Sequence, residues 1–340
     1  MSYKMSDVAK RARVSASTVS RILRNEKKFS FSEKTKQNVF AAVEELGYST
    51  NFAASLFRSK KSRIVGIALQ PDNSYATFRI FPKCFRELSE LGYSPVVISF
   101  TEEMNENSGI NIFGNLDLLC GIICLYGNQV LKILEICERQ NKNIPIVSLY
   151  PGDTESPNLH YVLSDIPDGV LKILDYLEQN GHRKIITAGS AGIPRELALD
   201  SAFKKHNMKR IKIDVDMPAT DKMFIYGRDS AGKVMSIKDA SAVICSNDEF
   251  AVGLMSGLSR EGVKIPEDIS VIGFDDLPFA EFSGNGISTV RQDFEKKAET
   301  AAKLIVSLIE STDTQKQFLP KKIKIPCELI VRNSSGRAKE

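Results

Sequence analysis

From Ile64 onward, apolar segments of strand length alternate with amphipathic helical segments, and this alternation constrains the fold more than any other feature. The strand-like segments are RIVGIAL, SPVVISF, CGIICLY and IPIVSLY, followed by a second series of RKIITAG, RIKID, SAVICS and ISVIGFDD. Helical stretches such as VLKILDYLEQNG and EFAVGLMSGLSREG lie between them. Such alternation is typical of parallel sheets covered by helices. Two series predict two parallel-sheet α/β subdomains with a cleft between them.

The first 48 residues have a different pattern, which predicts three short helices. Ser6, Ser15 and Ser32 each stand where a hydroxyl can cap a helix, and Gly47 ends the third helix. The break between the first two helices is three residues long, as in a helix-turn-helix. Ala9 is small where these two helices would touch, and Val19 is apolar where the second would dock.

The second of these helices, in SASTVSRIL, has an outward face of small hydroxyl residues. A recognition helix enters the major groove of DNA by its N-terminal residues, where small side chains allow close approach. Ala16 and Ser17 would then meet base edges, Thr18 and Ser20 would bond phosphates, and Arg21 would reach a guanine edge or a phosphate. The structural alternative is a solvated face of a small bundle.

Charge is distributed unevenly along the chain. Residues 1–63 contain 14 Lys or Arg and 5 Asp or Glu, whereas the remainder contains 32 and 37. A basic N-terminal part beside a mildly acidic body indicates a polyanionic partner for that part. Solubility alone can also account for a basic face.

The stretch MSDVAKRARVSASTVSRIL resembles the N-terminus of the LacI/GalR family of bacterial transcription repressors, and the resemblance continues through KTKQNVFAAVEELGY and most of the chain. It implies an all-α helix-turn-helix head over 1–50 and a hinge over 51–63. It also implies an effector-binding and dimerisation core over 64–340. Two Rossmann-like, periplasmic-binding-protein-like subdomains would form this core, with crossovers near 163 and 292. Arg13 stands where the family usually has Gly, and a left-handed backbone there would cost about 1–2 kcal/mol.

The resemblance also implies the residues that contact DNA. In the family the hinge becomes helical on operator DNA and inserts a leucine into the minor groove; Leu56 matches that position, beside the small residues Ala53 and Ala54. An apolar wedge of this kind opens a base step and kinks the duplex. A flexible linker is the alternative for this segment. The full predicted DNA-contacting set is Ser6, Ser15, Ala16, Ser17, Thr18, Ser20, Arg21, Asn25 and Leu56.

Effector-binding residues follow from the resemblance position by position. Arg and Asp can each engage two hydroxyls, Asn and Gln donate and accept, and Phe can stack on a sugar face, so the set suits a polyol. Two departures from the family pattern are Tyr150, where an aspartate is common, and Gly227, near an aromatic position. The alternatives are a solvated turn for Asp275 and a surface ion pair for Arg195. The predicted effector set is Gln70, Ser74, Arg195, Asn247, Asp275, Gln292 and Phe294.

Other features of the sequence argue against an enzyme, a metal or cofactor site, and a membrane or secreted protein. We find no dinucleotide or Walker motif, no G-x-S-x-G, and no His spacing suited to a metal, so we expect neither an enzyme nor a cofactor nor a metal site. The six cysteines lie in apolar segments, which is typical of buried reduced thiols. No membrane span or signal peptide is predicted, which favours a cytoplasmic, nucleoid-associated protein.

These features predict a repressor of sugar-utilisation genes that binds pseudo-palindromic operator DNA as a homodimer. Its effector would be a sugar such as a galactoside. No leucine heptad follows the last strand, so a tetramer is not expected. A purine- or sugar-phosphate-responsive corepressed regulator is the main alternative, and a solute-binding module without DNA function is the alternative from another class.

Overall fold

The computed structural model describes residues 3–23, 29–48, 62–69, 75–99, 118–152, 156, 158–189, 192–206, 208–216, 222–284, 286–312 and 320–339. The chain divides into two compact units, Met1–Ser62 and Arg63–Glu340. Four predicted contact residues, Asn25, Leu56, Gln70 and Ser74, lie outside the described residues, as do Ala53 and Ala54. Their roles stay predictions.

In the part of the first unit that the structure describes, the chain forms three helices: α1 (Met5–Ala12), α2 (Ala16–Leu23) and α3 (Glu33–Glu45). Val8, Val19 and Val39 are fully buried in its core, one from each helix. Ser32 caps α3 by accepting the Thr35 N–H at 3.1 Å. The prediction that Ser6 caps α1 is wrong. Lys4 is the cap residue, because the Asp7 carboxylate accepts the Lys4 N–H at 2.7 Å and starts the helix earlier.

The turn between α1 and α2 requires a left-handed residue. Arg13 has φ 55° and ψ 44°, the backbone conformation that glycine adopts without strain. Its N–H bonds the Lys10 carbonyl at 3.3 Å, and Val14 bonds the Ala9 carbonyl at 3.0 Å. Ala9 is buried at this crossing. The turn geometry of a helix-turn-helix is therefore kept, with the strain that the sequence predicts for Arg13.

The described residues of the second unit form two six-stranded sheets, and the first has the order β11-β5-β4-β3-β1-β2. All its strand pairs are parallel among the described residues. Its elements are β1 (Ile64–Leu69), α4 (Tyr75–Glu90), β2 (Ser94–Ser99), β3 (Leu119–Cys124), α5 (Gly127–Arg139), β4 (Ile146–Ser148) and β5 (Leu159–Ser164). Later in the chain, α11 (Phe294–Thr312) and β11 (Lys322–Ile325) return to it.

The second sheet has the order β12-β10-β9-β8-β6-β7. Its elements are α6 (Ile166–Gln179), β6 (Lys184–Ala188), α7 (Gly192–His206), β7 (Lys209–Ile213), α8 (Met223–Asp229), α9 (Ala231–Met235), β8 (Ala242–Cys245), α10 (Asp248–Arg260), β9 (Ser270–Asp275), a 3-10 turn (Pro278–Ala280), β10 (Ser288–Gln292) and β12 (Cys327–Ile330). One strand departs from the predicted parallel arrangement, since β12 is antiparallel to β10. It enters directly from β11 through Pro326, without the helical crossover that a parallel return needs.

Along the elements that the structure describes, the chain passes between the two subdomains three times. It crosses between β5 and α6, between β10 and α11, and again at Pro326 between β11 and β12. The third crossing was not predicted from the sequence. These crossings bring the last residues of several strands to the junction between the subdomains, where ligands of open α/β sheets bind.

Candidate functional site

The exposed surface of α2 is small and rich in hydroxyls. Ser15 caps the helix, because its Oγ accepts the Thr18 N–H at 3.0 Å, and this Oγ also lies 2.7 Å from the Ser17 hydroxyl. Ser15, Ala16 and Ser17 are exposed, whereas Val19 and Ile22 are buried against the other helices. The N-terminal turn of α2 therefore presents a surface that another backbone can approach closely.

Arg21 lies one turn further along α2. Its guanidinium carbon is 3.9 Å from the centroid of the Phe29 ring, so the ring supports the cation through its face. The N–H groups point along the edge of the guanidinium plane, which leaves them free of this contact. Exposed Lys10 and Arg13 carry further positive charge on the same unit. Thr18 and Ser20 are half-buried, and Ser6 is exposed on α1.

A second group of polar residues lies where strands of the second sheet end. Asp275 is the last residue of β9 and Gln292 the last of β10, and Asn247 is the second residue after β8. Arg195 lies in the first turn of α7, the helix that follows β6. Because the carboxyl ends of parallel strands share one edge, the sequence-predicted residues from four places meet there.

Arg195 is the centre of this group. Its side chain is only 14% exposed, and its guanidinium carbon lies 3.7 Å from the centroid of the Phe274 ring. It donates to the Ser246 carbonyl, and its Nη2 is 3.9 Å from Asp275 Oδ1. Its Nε has no partner among the described residues. Burial lowers the pKa of Arg195, which the Asp275 charge opposes. The alternative of a surface ion pair is therefore wrong.

Asp275 is held in a strained conformation. Its φ is 110°, and Asp276 follows with φ 51°, both in the range that favours glycine. Asp275 Oδ1 accepts the Gln292 side-chain amide at 2.6 Å. Burial raises the pKa of Asp275, while Arg195 lowers it. The side chains of Asp275 and Asp276 are only 15% and 9% exposed, which contradicts the alternative of a solvated turn.

Asp248 holds this strained segment in place, and no sequence pattern pointed to it. Its Oδ1 accepts the Thr289 hydroxyl at 2.6 Å, and its Oδ2 accepts the Leu277 N–H at 2.7 Å. Burial raises its pKa well above the ordinary range of an aspartate. The carboxylate thus ties α10 to β10 and to the chain just after Asp276. It positions Asp275 without being one of the predicted ligands.

Asn247 and Phe294 each have a structural role besides the predicted contact with the effector. Asn247 caps α10, since its Oδ1 accepts the Phe250 N–H at 2.8 Å. Its Nδ2 donates to Glu249 Oε2 at 3.5 Å, and the second N–H of this amide is the group available to a ligand. Phe294 is 5% exposed and packs in the core of the first subdomain. Packing explains Phe294 without a ligand, and its stacking role stays a prediction.

Tyr150 spans the cleft between the two subdomains. It follows β4 in the first subdomain, and a Cβ built on Gly127 would lie 2.5 Å from its ring. On the other side, a Cβ built on Gly192 in α7 would lie 3.4 Å from its hydroxyl. The Tyr150 hydroxyl also raises the pKa of Arg195. Tyr150 therefore brings an aromatic side chain to the cleft where a carboxylate is common in the family.

Gly227, the other departure, is a packing residue. A Cβ at this position would lie 2.1 Å from the Phe250 carbonyl oxygen, and one at Gly253 would lie 1.9 Å from the Phe224 carbonyl oxygen. Helices α8 and α10 therefore cross with their backbones in contact. No side chain fits at Gly227, so the aromatic residue expected near this position cannot occupy it.

Several buried polar atoms near strand ends have no partner among the described residues. They belong to Gln129 after β3, Ser164 at the end of β5, and Ser246 after β8, in addition to Arg195 Nε. Buried polar groups are nearly always hydrogen-bonded, so unpaired groups near the strand ends of both sheets indicate a ligand that would bond them. Among the described residues there is no group of three or more His, Cys, Asp or Glu side chains arranged to hold a metal ion.

No helix among the described residues is both long enough and apolar enough to cross a membrane.

None of the six cysteines, all of which the structure describes, forms a disulfide. Burial raises the pKa of the Cys84 thiol to about 12. High pKa values suppress thiolate chemistry, so these thiols act as packing groups.

Comparison with known proteins covers nearly the whole chain. Residues 4–51 match the family described as "Bacterial regulatory proteins, lacI family", and residues 174–335 match the "Periplasmic binding protein-like domain". The chain is 28% identical over 348 residues to the "Probable HTH-type transcriptional repressor ExuR" of Bacillus subtilis (strain 168), covering 97% of this chain and 98% of the relative. It is 24% identical to "HTH-type transcriptional repressor PurR" of Vibrio parahaemolyticus, covering 96% and 97%.

Solved structures have the same fold. The lac repressor dimer bound to operator and the anti-inducer ONPF superposes with a TM-score of 0.76 at 22% identity, covering 98% of this chain and 99% of that chain. The complex of the transcriptional regulator CelR with cellobiose gives 0.65 at 23% identity, covering 98% and 100%. Both the three-helix unit and the two-sheet core are thus similar to units of known bacterial regulators.

Proposed function

Since the chain belongs to the LacI/GalR family of bacterial transcriptional repressors, we propose that it represses sugar-utilisation genes as a homodimer under the control of a small effector. The repressor would act in the cytoplasm, on the nucleoid, without catalytic activity. The observation that carries the proposal is the N-terminal turn of α2, where Ser15 holds a surface of small exposed residues. Relatives covering nearly the whole chain are named as transcriptional repressors, which supports the same conclusion.

In this proposal α2 lies in the major groove of the operator. Ala16 and Ser17 meet base edges, Thr18 and Ser20 bond phosphates, and Arg21 leaves the Phe29 ring to reach a guanine edge or a phosphate. Ser6, Ser15 and Asn25 lie at the margin of this contact. Leu56 of the hinge opens the central base step from the minor groove.

The effector binds in the cleft beside Arg195. Asp275 already contacts both Arg195 and Gln292. The Asn247 amide together with the unpaired groups of Gln129, Ser164 and Ser246 supplies further donors and acceptors. Gln70, Ser74 and Phe294 complete the proposed site. A polyol satisfies many paired donors and acceptors at once, which supports a sugar.

A homodimer is supported by apolar side chains that α4 exposes. Phe78 is 62% exposed and Phe85 is 41% exposed, and they are seven residues apart, on one face of the helix. Exposed apolar groups on one face are typical of a protein interface. A two-fold dimer also presents two heads to the two halves of a pseudo-palindrome.

Selection of DNA from a random duplex library by the full-length protein tests this proposal, because the library needs no known operator sequence. We expect the selection to yield a pseudo-palindromic site, and Arg21→Ala to lower affinity for that site while leaving effector binding unchanged. Arg195→Ala should keep the site and lose the effector response. An enriched site that Arg21→Ala binds as tightly as the wild type would contradict the role of Arg21.

Two other functions remain distinguishable by experiment. A purine- or sugar-phosphate-responsive corepressed regulator would also select a pseudo-palindromic DNA site. Its affinity for that site would rise when its ligand binds, or no neutral sugar would change that affinity. A relative named PurR supports the purine alternative. A solute-binding module would bind sugar and enrich no DNA site.

A further inference from the structure

Lys297 is buried beside the effector cleft. It lies in the first turns of α11 and is only 7% exposed. Among the described residues no carboxylate lies within ion-pair distance of its Nζ. The charged or titratable groups that face it are Asp275 of β9, Cys327 of β12 and Cys84 of α4. Burial lowers its pKa to about 8, and these three groups only partly oppose that effect.

Lys297 occupies a position on α11 whose neighbouring side chains are apolar and buried. Phe294, Ala298 and Ala301, which are three residues before it and one and four after it, are all buried in the core of the first subdomain. Lysine is almost never buried without a partner, because removing its charge from water is costly. The neighbouring Lys296 shows the ordinary arrangement, exposed and 3.3 Å from Glu299. Packing therefore gives no reason for a lysine at 297.

Lys297 and Arg195 approach the same carboxylate from the two subdomains. Both lower the pKa of Asp275, which is already bonded to Gln292 and lies 3.9 Å from Arg195. Two buried cations thus share one carboxylate. Asp248 and Glu249 are the other buried carboxyl groups that face Asp275. Burial raises the pKa of both, so neither gives Lys297 a fixed negative partner, and an anion there would supply one.

A surface cleft nearby has no such imbalance. It has a volume of about 410 Å³ and includes Arg79, Arg291 and Arg332 in its lining. Arg79 pairs with Glu295 at 3.2 Å and Arg332 with Asp276 at 2.8 Å, while Arg291 pairs with both Asp276 at 2.7 Å and Glu328 at 3.1 Å. Its cations are neutralised within the protein, whereas Lys297 is not.

We propose that Lys297 binds an anionic group of the effector, so that this repressor responds to an acidic sugar derivative, a carboxylate or a phosphate ester, rather than to a neutral sugar. The inference rests on the proposed function, since it names the ligand class of the same cleft. The hydroxyls of the ligand bond Arg195, Asp275 and Gln292, and its anionic group lies against the Lys297 ammonium.

Calorimetric titration with matched ligands tests the proposal directly. The probes are glucose and galactose, the hexuronates glucuronate and galacturonate, and glucose 6-phosphate and galactose 6-phosphate. We expect at least one acid to bind the full-length protein at least tenfold more tightly than its neutral parent. Tighter binding of a hexuronate identifies a carboxylate ligand, and tighter binding of a sugar phosphate identifies a phosphate ligand. A neutral hexose that binds as tightly as its acids, or no binding of any acid, would overturn the proposal.

Lys297→Met and Lys296→Met form a matched pair of variants. Lys297→Met replaces the buried lysine with an apolar side chain of similar length, so it should fold; it should lose tenfold or more of the acid affinity and retain affinity for the neutral parent. Lys296→Met removes an exposed charge on the same helix and should bind the acid like the wild type. Equal acid affinity in Lys297→Met and the wild type would overturn the role of Lys297.

The pH dependence supplies a readout that a structural role would not give. The acid should bind with constant affinity below about pH 7.5 and more weakly above pH 8, because free Lys297 loses its proton near pH 8. Lys297→Met should show no loss across this range. An acid affinity that is the same at pH 7 and pH 9.5 would overturn the proposal.

The experiments can contradict the anionic ligand and the repressor function independently of one another. A protein that selects an operator and releases it on binding a neutral sugar keeps the repressor and loses the anionic ligand. A protein that binds the acid through Lys297 but selects no DNA keeps the anionic ligand and loses the repressor.

Discussion

At the scale of single residues, the site depends on residues whose backbone strain is offset by hydrogen bonds and ion pairs with their neighbours. Asp275 and Asp276 adopt positive φ, and Asp248, Gln292 and Arg291 hold them there. Arg13 in the head has a similar backbone strain, but it is exposed and has no comparable network among the described residues. Its strain is therefore a cost that substitution can remove.

Arg13→Gly should stabilise the head. A left-handed non-glycine residue costs about 1–2 kcal/mol, and the larger entropy of glycine in the unfolded chain offsets part of the gain, so we expect about 1 kcal/mol. Hydrogen exchange of α1 and α3 amides in the full-length protein measures this as slower exchange. Arg13→Ala removes the same charge and keeps the strain, so it should give no gain. Equal exchange in the two variants would contradict the strain.

Lys297→Met should stabilise the core in a pH-dependent way. The folded protein holds the Lys297 proton with a pKa of about 8, against 10.5 in the unfolded chain, so the wild type loses stability as pH falls from 10.5 to 8. We expect the variant to exceed the wild type by roughly 3 kcal/mol at pH 7, with the difference shrinking toward pH 10.5. Urea unfolding at several pH values measures this, and a difference independent of pH would contradict the burial of a charged Lys297.

The residues of the site differ in how far the sequence predicts them. Arg195, Asp275 and Gln292 were predicted from their match to family positions, and the structure brings them into contact. Asp248 and Lys297 were missed because their importance comes from tertiary burial. An aspartate at the start of a helix and a lysine in a run of charged residues are both ordinary in sequence. Only packing shows that neither is solvated.

At the scale of elements, α2 depends on its cap as much as on its contacts. Ser15 fixes the first turn through the Thr18 N–H, and that turn carries Ala16 and Ser17. Ser32 makes the equivalent bond at the start of α3. The two serines therefore offer the same chemical change in two helices with different proposed roles.

Ser15→Ala and Ser32→Ala should each destabilise the head by about 1 kcal/mol, the usual cost of losing a helix cap. Only Ser15→Ala should also alter operator recognition, since the fraying turn is the one placed against the bases. Competition between the selected operator and a scrambled duplex, measured by fluorescence anisotropy, separates the two effects. A loss of discrimination equal in both variants would argue against α2 as the recognition helix.

Phe78→Glu with Phe85→Glu should dissociate the dimer. Charges on the exposed face of α4 would be desolvated in an interface, so the double variant should sediment as a monomer and lose operator affinity while still binding effector. Leu131→Glu, which alters an exposed side chain on α5, is the control and should stay dimeric. A dimeric Phe78→Glu/Phe85→Glu variant would place the interface elsewhere.

At the scale of the whole molecule, the fold follows from the sequence to a large extent. Apolar runs and amphipathic helices predict both sheets, because buried parallel strands need continuous apolar segments. The antiparallel strand β12 and the crossing at Pro326 were not predicted. Their position is decided by which sheet edge is free at the end of the chain, and local sequence does not carry that information.

Control of operator binding by the effector also involves the whole molecule. The cleft joins groups from both subdomains, with Tyr150 on one side and Arg195 on the other. A ligand that bonds both sides changes how the subdomains are held. Typical allosteric coupling is about 1–3 kcal/mol, equivalent to a change of roughly 5- to 150-fold in operator affinity.

The most direct measurement is an anisotropy titration of the selected operator by the full-length protein, with and without a saturating ligand from the matched sugar panel. We predict that the ligand changes operator affinity by at least fivefold in the wild type. A decrease identifies an inducer and an increase a corepressor. Arg195→Ala should bind the operator equally well in both conditions. An operator affinity that a bound ligand leaves unchanged in the wild type would contradict effector control of this repressor.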